Sequence, residues 1–126
     1  MKYQFTELQL SGNKKVADAR AVLDLLNEHC RTSVKMSFSR ANGGRANLYR
    51  QRFTIPKHAM DRCETYLHYY VIHEFTHCLG NLSHDKAFKR KERQLLKMFD
   101  ITIDYAKAYP RTLYANGEKK YTREVE

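Results

Sequence analysis

The residues best suited to chemistry lie at 73–77, which read HEFTH, with a further histidine at position 84. Each residue of an α-helix advances by about 100°, so His73 and His77 would lie one turn apart on the same side. Two such imidazoles can bind one metal ion, and a third ligand would leave one position of a tetrahedral zinc ion open for water. Glu74 would project from the flank of that face and could take a proton from the water. The pattern predicts a catalytic site with one Zn²⁺ and with Glu74 as general base.

The third ligand must come from outside the motif. His84 follows His77 by seven residues, which leaves room for the chain to turn back, and it falls on the inward stripe of the next predicted helix. Asp85 and Glu92 are the alternatives, but Asp85 would point elsewhere and Glu92 lies two turns further on. We therefore expect His73, His77 and His84 to be the metal ligands. The other histidines lack metal-ligand spacing and are interpreted as surface or packing residues: His29, His58 and His68.

The predicted metal-binding helix runs from about Asp61 to Leu79 and ends at Gly80, a residue typical of helix C-termini. Most of its faces are apolar, which indicates a buried helix that holds its histidines rigidly. A hydrolase also needs a group that stabilises the oxyanion. Phenols on or near this helix could supply it, but aromatic packing is the alternative for each, so none is assigned: Tyr66, Tyr70 and Tyr105.

Other elements must position this helix. Apolar residues at steps of three and four predict a helix over 14–30. Alternation predicts a strand at 34–38 and a second strand at 46–55 that ends at Pro56, joined by a turn at 42–44. A strand or an ordered lead-in is expected at 3–10, and a turn with an N-cap at 11–13.

The segments after the motif carry helix-cap and turn signals. Ser83 is expected to cap the next helix, with Asp85 in its first turn. Residues 101–105 fit either a strand or a continuing helix. Asn116 and Gly117 predict the turn of a hairpin at about 111–124. Together these elements predict one α+β domain over residues 1–126.

Charge and cysteine content bear on the expected binding partners and cellular compartment. The net charge of +9 favours a polyanionic partner. Seven basic residues and no acidic residue occur in the predicted hairpin 31–57, which indicates DNA contact, the alternative being an ordinary solvated face. Three widely spaced cysteines without a CxxC pair suggest reduced thiols in a cytoplasmic protein. No membrane span and no apolar secretory signal are recognised.

Residues 71–77 and 84–88 resemble the SprT-like and YgjP-like zinc metallopeptidases, which have an apolar pair, HExxH, a short link, and a histidine followed by an aromatic residue. Residues 45–55, within the basic hairpin, resemble the family's strand that leads into the active-site helix. The resemblance implies a minimal zincin-like fold: a small antiparallel sheet against an N-terminal helix, the central HExxH helix and a following helix. It also implies zinc ligation by His73, His77 and His84, with Glu74 as general base.

Two classes of function remain open at this point. The first is a zinc-dependent metallopeptidase that hydrolyses a protein or peptide, including DNA-associated proteins, since relatives in the family act on proteins crosslinked to DNA. A regulatory peptidase that cuts a repressor is a variant of this class. The second is a zinc-stabilised nucleic-acid-binding protein without hydrolytic activity, for which the basic segment 31–57 is the argument.

Overall fold

A computed structural model of the chain describes residues 14–39, 45–80 and 82–123. The segment predicted at 3–10, the turns predicted at 11–13 and 42–44, and residue 124 of the predicted hairpin lie outside this described part. The described helices are α1 (Lys14–Cys30), α2 (Lys57–Met60), α3 (Glu64–His77) and α4 (Lys86–Lys97).

The prediction of a helix over 14–30 is confirmed by α1. Its buried residues recur at helical spacing, so they form one stripe: Val16, Ala19, Val22, Leu23 and Leu26. This stripe packs against α3. The helix ends where Arg31 takes a left-handed backbone conformation (φ 58°), which turns the chain towards the first strand.

The first sheet contains β1 (Lys35–Phe38), β2 (Arg45–Asn47) and β3 (Arg52–Ile55), in the order β1-β3-β2. Strand β3 is parallel to β1 and antiparallel to β2. The prediction of one strand over 46–55 in an antiparallel hairpin with the preceding strand is wrong. The chain instead reverses between β2 and β3, so β3 runs in the same direction as β1.

The reversal is stabilised by contacts that no alternating pattern reveals. The side-chain oxygen of Asn47 accepts a hydrogen bond from the backbone N–H of Arg50 (2.9 Å). Gln51 has a left-handed backbone (φ 54°), and its side-chain amide donates to the carbonyl of Cys78 at the end of α3 (2.8 Å). Tyr49 consequently lies in the turn and is 94% exposed, although the predicted strand 46–55 would have included it.

The second sheet is antiparallel, in the order β4-β5-β6, and comprises β4 (Ile101–Ala106), β5 (Tyr109–Ala115) and β6 (Glu118–Thr122). Of the two options for 101–105, the strand is therefore correct. Asn116 and Gly117 have positive φ angles of 55° and 83°, as a tight hairpin turn requires, so the predicted C-terminal hairpin is confirmed.

Helix α3 lies at the centre of the molecule. It contacts the helices α1, α2 and α4 and the strands β2, β3, β5 and β6. Several of its side chains are completely buried, among them Leu67, Val71, Ile72 and Phe75. The structure thus has the predicted α+β class, with two small sheets and helices around one central helix. No helix in the described ranges combines the length and apolar character needed to cross a membrane.

Candidate metal centre and its cleft

The three predicted ligands come together at the C-terminal end of α3. His73 and His77 lie one turn apart on this helix and are almost completely buried, at 4% and 7% exposure. The Nε2 atom of His84 lies 3.1 Å from that of His77 and 3.3 Å from that of His73. Ligand-type atoms of all three residues lie within 4.8 Å of one another. The three side chains can therefore hold one metal ion.

These separations fit the chemistry of the donor set. Nitrogen ligands about 2.0–2.1 Å from one ion, at tetrahedral angles, are about 3.3 Å apart. The two Nε2 distances that involve His84 are 3.1 and 3.3 Å, close to that edge length. Burial and the neighbouring His73 lower the pKa of His84, which favours the neutral imidazole that a metal requires.

His84 reaches the site from a different position than the sequence predicted. It lies in the link between α3 and α4, and not on the inward stripe of α4. The N-cap of α4 is Asp85, whose carboxylate accepts a hydrogen bond from the backbone N–H of Phe88 (2.9 Å). Ser83, which was predicted to be the cap, instead donates to the Asp85 side chain (3.2 Å). The cap therefore fixes the start of α4 directly after the third imidazole.

Glu92 is a functional candidate whose role sequence reasoning missed. It is 0% exposed, and its carboxylate contacts Nδ1 of His73 at 2.6 Å and the Tyr105 hydroxyl at 2.6 Å. The Tyr69 hydroxyl also lies 3.1 Å from Nδ1 of His73. A carboxylate on Nδ1 places the proton there and directs the Nε2 lone pair towards the metal position.

The sequence contains an indication that Glu92 is buried and paired. Glu92 falls between Phe88 and Leu95 on the buried stripe of α4, and a carboxylate on such a stripe needs a partner. Burial and the Glu92 carboxylate raise the pKa of the Tyr105 phenol, which therefore remains a hydrogen-bond donor. Tyr105 thus acts on Glu92, whereas the other two phenols considered from the sequence, Tyr66 and Tyr70, line the cleft.

Glu74 lies beside the three histidines and is 6% exposed. Burial raises its pKa from 4.5 to about 7, with His73 opposing the shift and Glu92 adding to it. A carboxyl group that titrates near neutrality can both accept and return a proton. Glu74 therefore lies where general acid–base chemistry at the three-histidine centre needs a carboxyl group.

The histidines open onto a cleft of about 960 Å³. One end contains Glu74 and the three imidazoles, with Tyr109 beside them: its ring centroid lies 5.7 Å from that of His84. The other end is lined by aromatic and basic side chains from α2, α3, the link between these two helices and the segment around β6. Ala46 of strand β2 lies on the wall. A ligand in this cleft can therefore contact the first sheet and the metal centre together.

The remaining histidines do not join the three-histidine metal centre. His29 is exposed, and His58 packs edge-on against Tyr70 with ring centroids 5.6 Å apart. His68 lies near two carboxylates, Asp18 and Glu64, within 4.8 Å. Asp18 is already paired with a lysine at 3.2 Å and Glu64 is exposed, so this group lacks the enclosed donor set of the three-histidine centre.

In comparisons with known proteins, no family model and no curated protein matches this chain.

Proposed function

We propose that the protein is a zinc-dependent metallopeptidase with a minimal zincin-like fold, similar to the SprT-like peptidases. The observation that carries the proposal is the combination at one end of an open cleft: three imidazoles whose ligand-type atoms lie within 4.8 Å of one another, with a buried glutamate beside them. Three imidazole ligands that leave one position open are typical of catalytic zinc, whereas structural zinc sites are closed by four protein ligands.

Each side chain has a defined task in this mechanism. A bound zinc ion would polarise the scissile carbonyl and lower the pKa of a water molecule. Glu74 accepts a proton from the attacking water and delivers it to the leaving amine. Glu92 holds His73 in the tautomer that ligation needs, and Tyr105 holds Glu92.

The substrate backbone pairs with strand β2. Within the described sheet, β2 has a neighbour on one side only, and its residue Ala46 lines the cleft. An extended peptide can add to such an edge through backbone hydrogen bonds. The edge is restricted to residues 45–47, because β3 is paired on both sides.

The test is Glu74→Gln. We expect the purified variant to bind one zinc ion per chain, as measured by atomic absorption. Its hydrolysis of a fluorescently labelled unfolded protein should fall by about a hundredfold to ten-thousandfold, because the general base is lost.

The matched control is Glu28→Gln, the same substitution at an exposed residue of α1. It should hydrolyse the substrate at the wild-type rate. Undiminished hydrolysis by zinc-loaded Glu74→Gln would remove Glu74 from the mechanism. A wild-type protein that binds zinc but hydrolyses nothing would refute the peptidase proposal.

A second candidate function is nucleic-acid binding, which rests on the solvent face of the first sheet. Lys35 and Arg52 are directly opposed on neighbouring strands, and Arg45 is exposed on the same sheet. Like charges held side by side favour a polyanion. Binding that does not weaken with added salt would contradict this function.

A further inference from the structure

The end of the cleft away from the metal centre is built from aromatic and basic side chains of separate elements. We call it the Arg62 end, and it comprises His58, Arg62, Tyr66, Tyr121 and Arg123. The Arg62 guanidinium lies over the Tyr66 ring (5.3 Å) and the Tyr121 ring (5.8 Å), and these two rings are 4.7 Å apart. Two aromatic contacts therefore hold one exposed cation at the wall.

The basic side chains of this end have no ion-pair partner among the described residues, and this holds for both Arg62 and Arg123. Burial raises the pKa of Tyr66 to about 12, so this phenol stays neutral. Among the described residues that line the cleft, the one carboxyl group is Glu74, at the opposite end.

The distance from the metal centre follows from helix geometry. Tyr66 precedes His73 by seven residues on α3, which is about 10.5 Å along the axis and within about 20° of the same face. An extended peptide advances about 3.3 Å per residue. A substrate lying along the cleft would thus place a side chain at the Arg62 end about three residues from the scissile bond.

We propose that the Arg62 end binds a carboxylate of the peptide substrate, about three residues from the bond that is cut. The guanidinium of Arg62 is a planar group with five N–H donors, and its N–H edge matches a carboxylate in a bidentate geometry. The carboxylate belongs either to an acidic side chain or to the C-terminus of the peptide. The inference rests on the proposed peptidase function, whose metal centre shares the cleft.

The experiment measures selectivity for charge at single positions. Pairs of peptides are compared by kcat/KM. The two peptides of a pair differ only by Glu or Gln at one position, and the pairs cover four positions on either side of the scissile bond. The wild type should favour Glu by about three- to tenfold at one position, roughly three residues from the cut. A second arm compares a free C-terminus with a C-terminal amide, which separates the two sources of the carboxylate.

Arg62→Gln should reduce this Glu-to-Gln ratio to about one, and Arg62→Glu should make the peptide with Lys at that position the better substrate. The matched control, Arg90→Gln, removes an exposed arginine of α4 outside the cleft and should keep the wild-type ratio. A merely structural role for Arg62 would lower kcat/KM for all peptides and leave the ratio unchanged, which would overturn the proposal.

A binding readout keeps this inference separate from the peptidase function. Zinc-loaded Glu74→Gln is titrated with the labelled Glu and Gln peptides, and affinity is read from fluorescence polarisation. Preference for the Glu peptide that disappears with Arg62→Gln supports the subsite even if no peptide is cleaved. Equal affinity for the two peptides would overturn the inference. It would also be overturned if an oligonucleotide displaced both labelled peptides while neither unlabelled peptide displaced the other.

Discussion

Glu92 connects the metal centre to the second sheet through two hydrogen bonds of 2.6 Å, to His73 and to Tyr105. We expect Glu92→Gln to weaken zinc binding by about tenfold to a hundredfold, because an uncharged amide no longer favours the proton on Nδ1 of His73. Competition with a chromophoric chelator measures the dissociation constant. The exposed Glu28→Gln serves as control, and a dissociation constant within twofold of wild type for Glu92→Gln would contradict the role.

Glu74 makes the stability of the metal-free protein depend on pH. Its pKa is raised from 4.5 to about 7 in the fold, so the folded state retains a proton that the unfolded state has lost between these values. Its contribution to the free energy of unfolding is therefore full below pH 4.5 and is lost as the pH rises through 7. The loss is on the order of 3 kcal/mol.

Urea unfolding of wild type and Glu74→Gln at pH 4.5 and pH 8 measures this contribution as a difference between the two proteins. Glutamine does not titrate, so the variant should lose less stability than wild type over this range. The metal must be removed first, because a nearby cation favours the carboxylate. An equal change in the free energy of unfolding between pH 4.5 and pH 8 for the two proteins would contradict the prediction, because Glu74 would then have the same pKa in the folded and unfolded states.

Among the elements, the start of α4 affects both the stability of the helix and the position of His84, because His84 directly precedes the capping residue Asp85. Asp85→Ala should lower the free energy of unfolding by about 1 kcal/mol and should also weaken zinc binding, since the link that holds His84 loosens. Urea unfolding and chelator competition measure the two effects. If Ser83→Ala were the more damaging substitution, the cap would lie where the sequence placed it.

Elements with strong local signals were predictable. Helical spacing of apolar residues was sufficient for α1 and α3, and Asn116-Gly117 was sufficient for the turn between β5 and β6. The break between β2 and β3 was not predictable from local signals. It is held in part by the hydrogen bond from the Gln51 side chain to the carbonyl of Cys78, a residue 27 positions away. The alternation of apolar residues across this turn resembled one strand and hid it.

The same distinction holds for the candidate site. The spacing of residues 73–77 implied that His73 and His77 share a face, and that inference needs local geometry only. The contact between His73 and Glu92 spans 19 residues and two helices, so only the packing of α4 on α3 reveals it. The aromatic and basic Arg62 end likewise requires β6 to lie against the start of α3.

At the scale of the whole molecule, the net charge of +9 predicted a polyanionic partner but not its location. If the first sheet binds DNA, the affinity should fall steeply with salt. The double substitution Lys35→Gln with Arg52→Gln should reduce the slope of log K against log salt by about 2. Fluorescence anisotropy with a duplex and a single strand measures it across salt concentrations.

A matched pair on α4, Lys86→Gln with Arg90→Gln, removes the same charge from exposed positions of another surface. It should change the slope less than the sheet pair does. A larger change of the slope with the α4 pair would show that DNA contacts that helix and not the first sheet. An affinity insensitive to salt would contradict nucleic-acid binding.

The crowding of phenol rings in the cleft gives this protein a built-in optical reporter. The chain has nine tyrosines and no tryptophan, and in the described part of the chain five tyrosines line the cleft: Tyr66, Tyr69, Tyr70, Tyr109 and Tyr121. Five of the nine rings that can emit therefore lie along the cleft. Loading with a quenching ion such as cobalt, or the arrival of a peptide, should be visible in unlabelled protein.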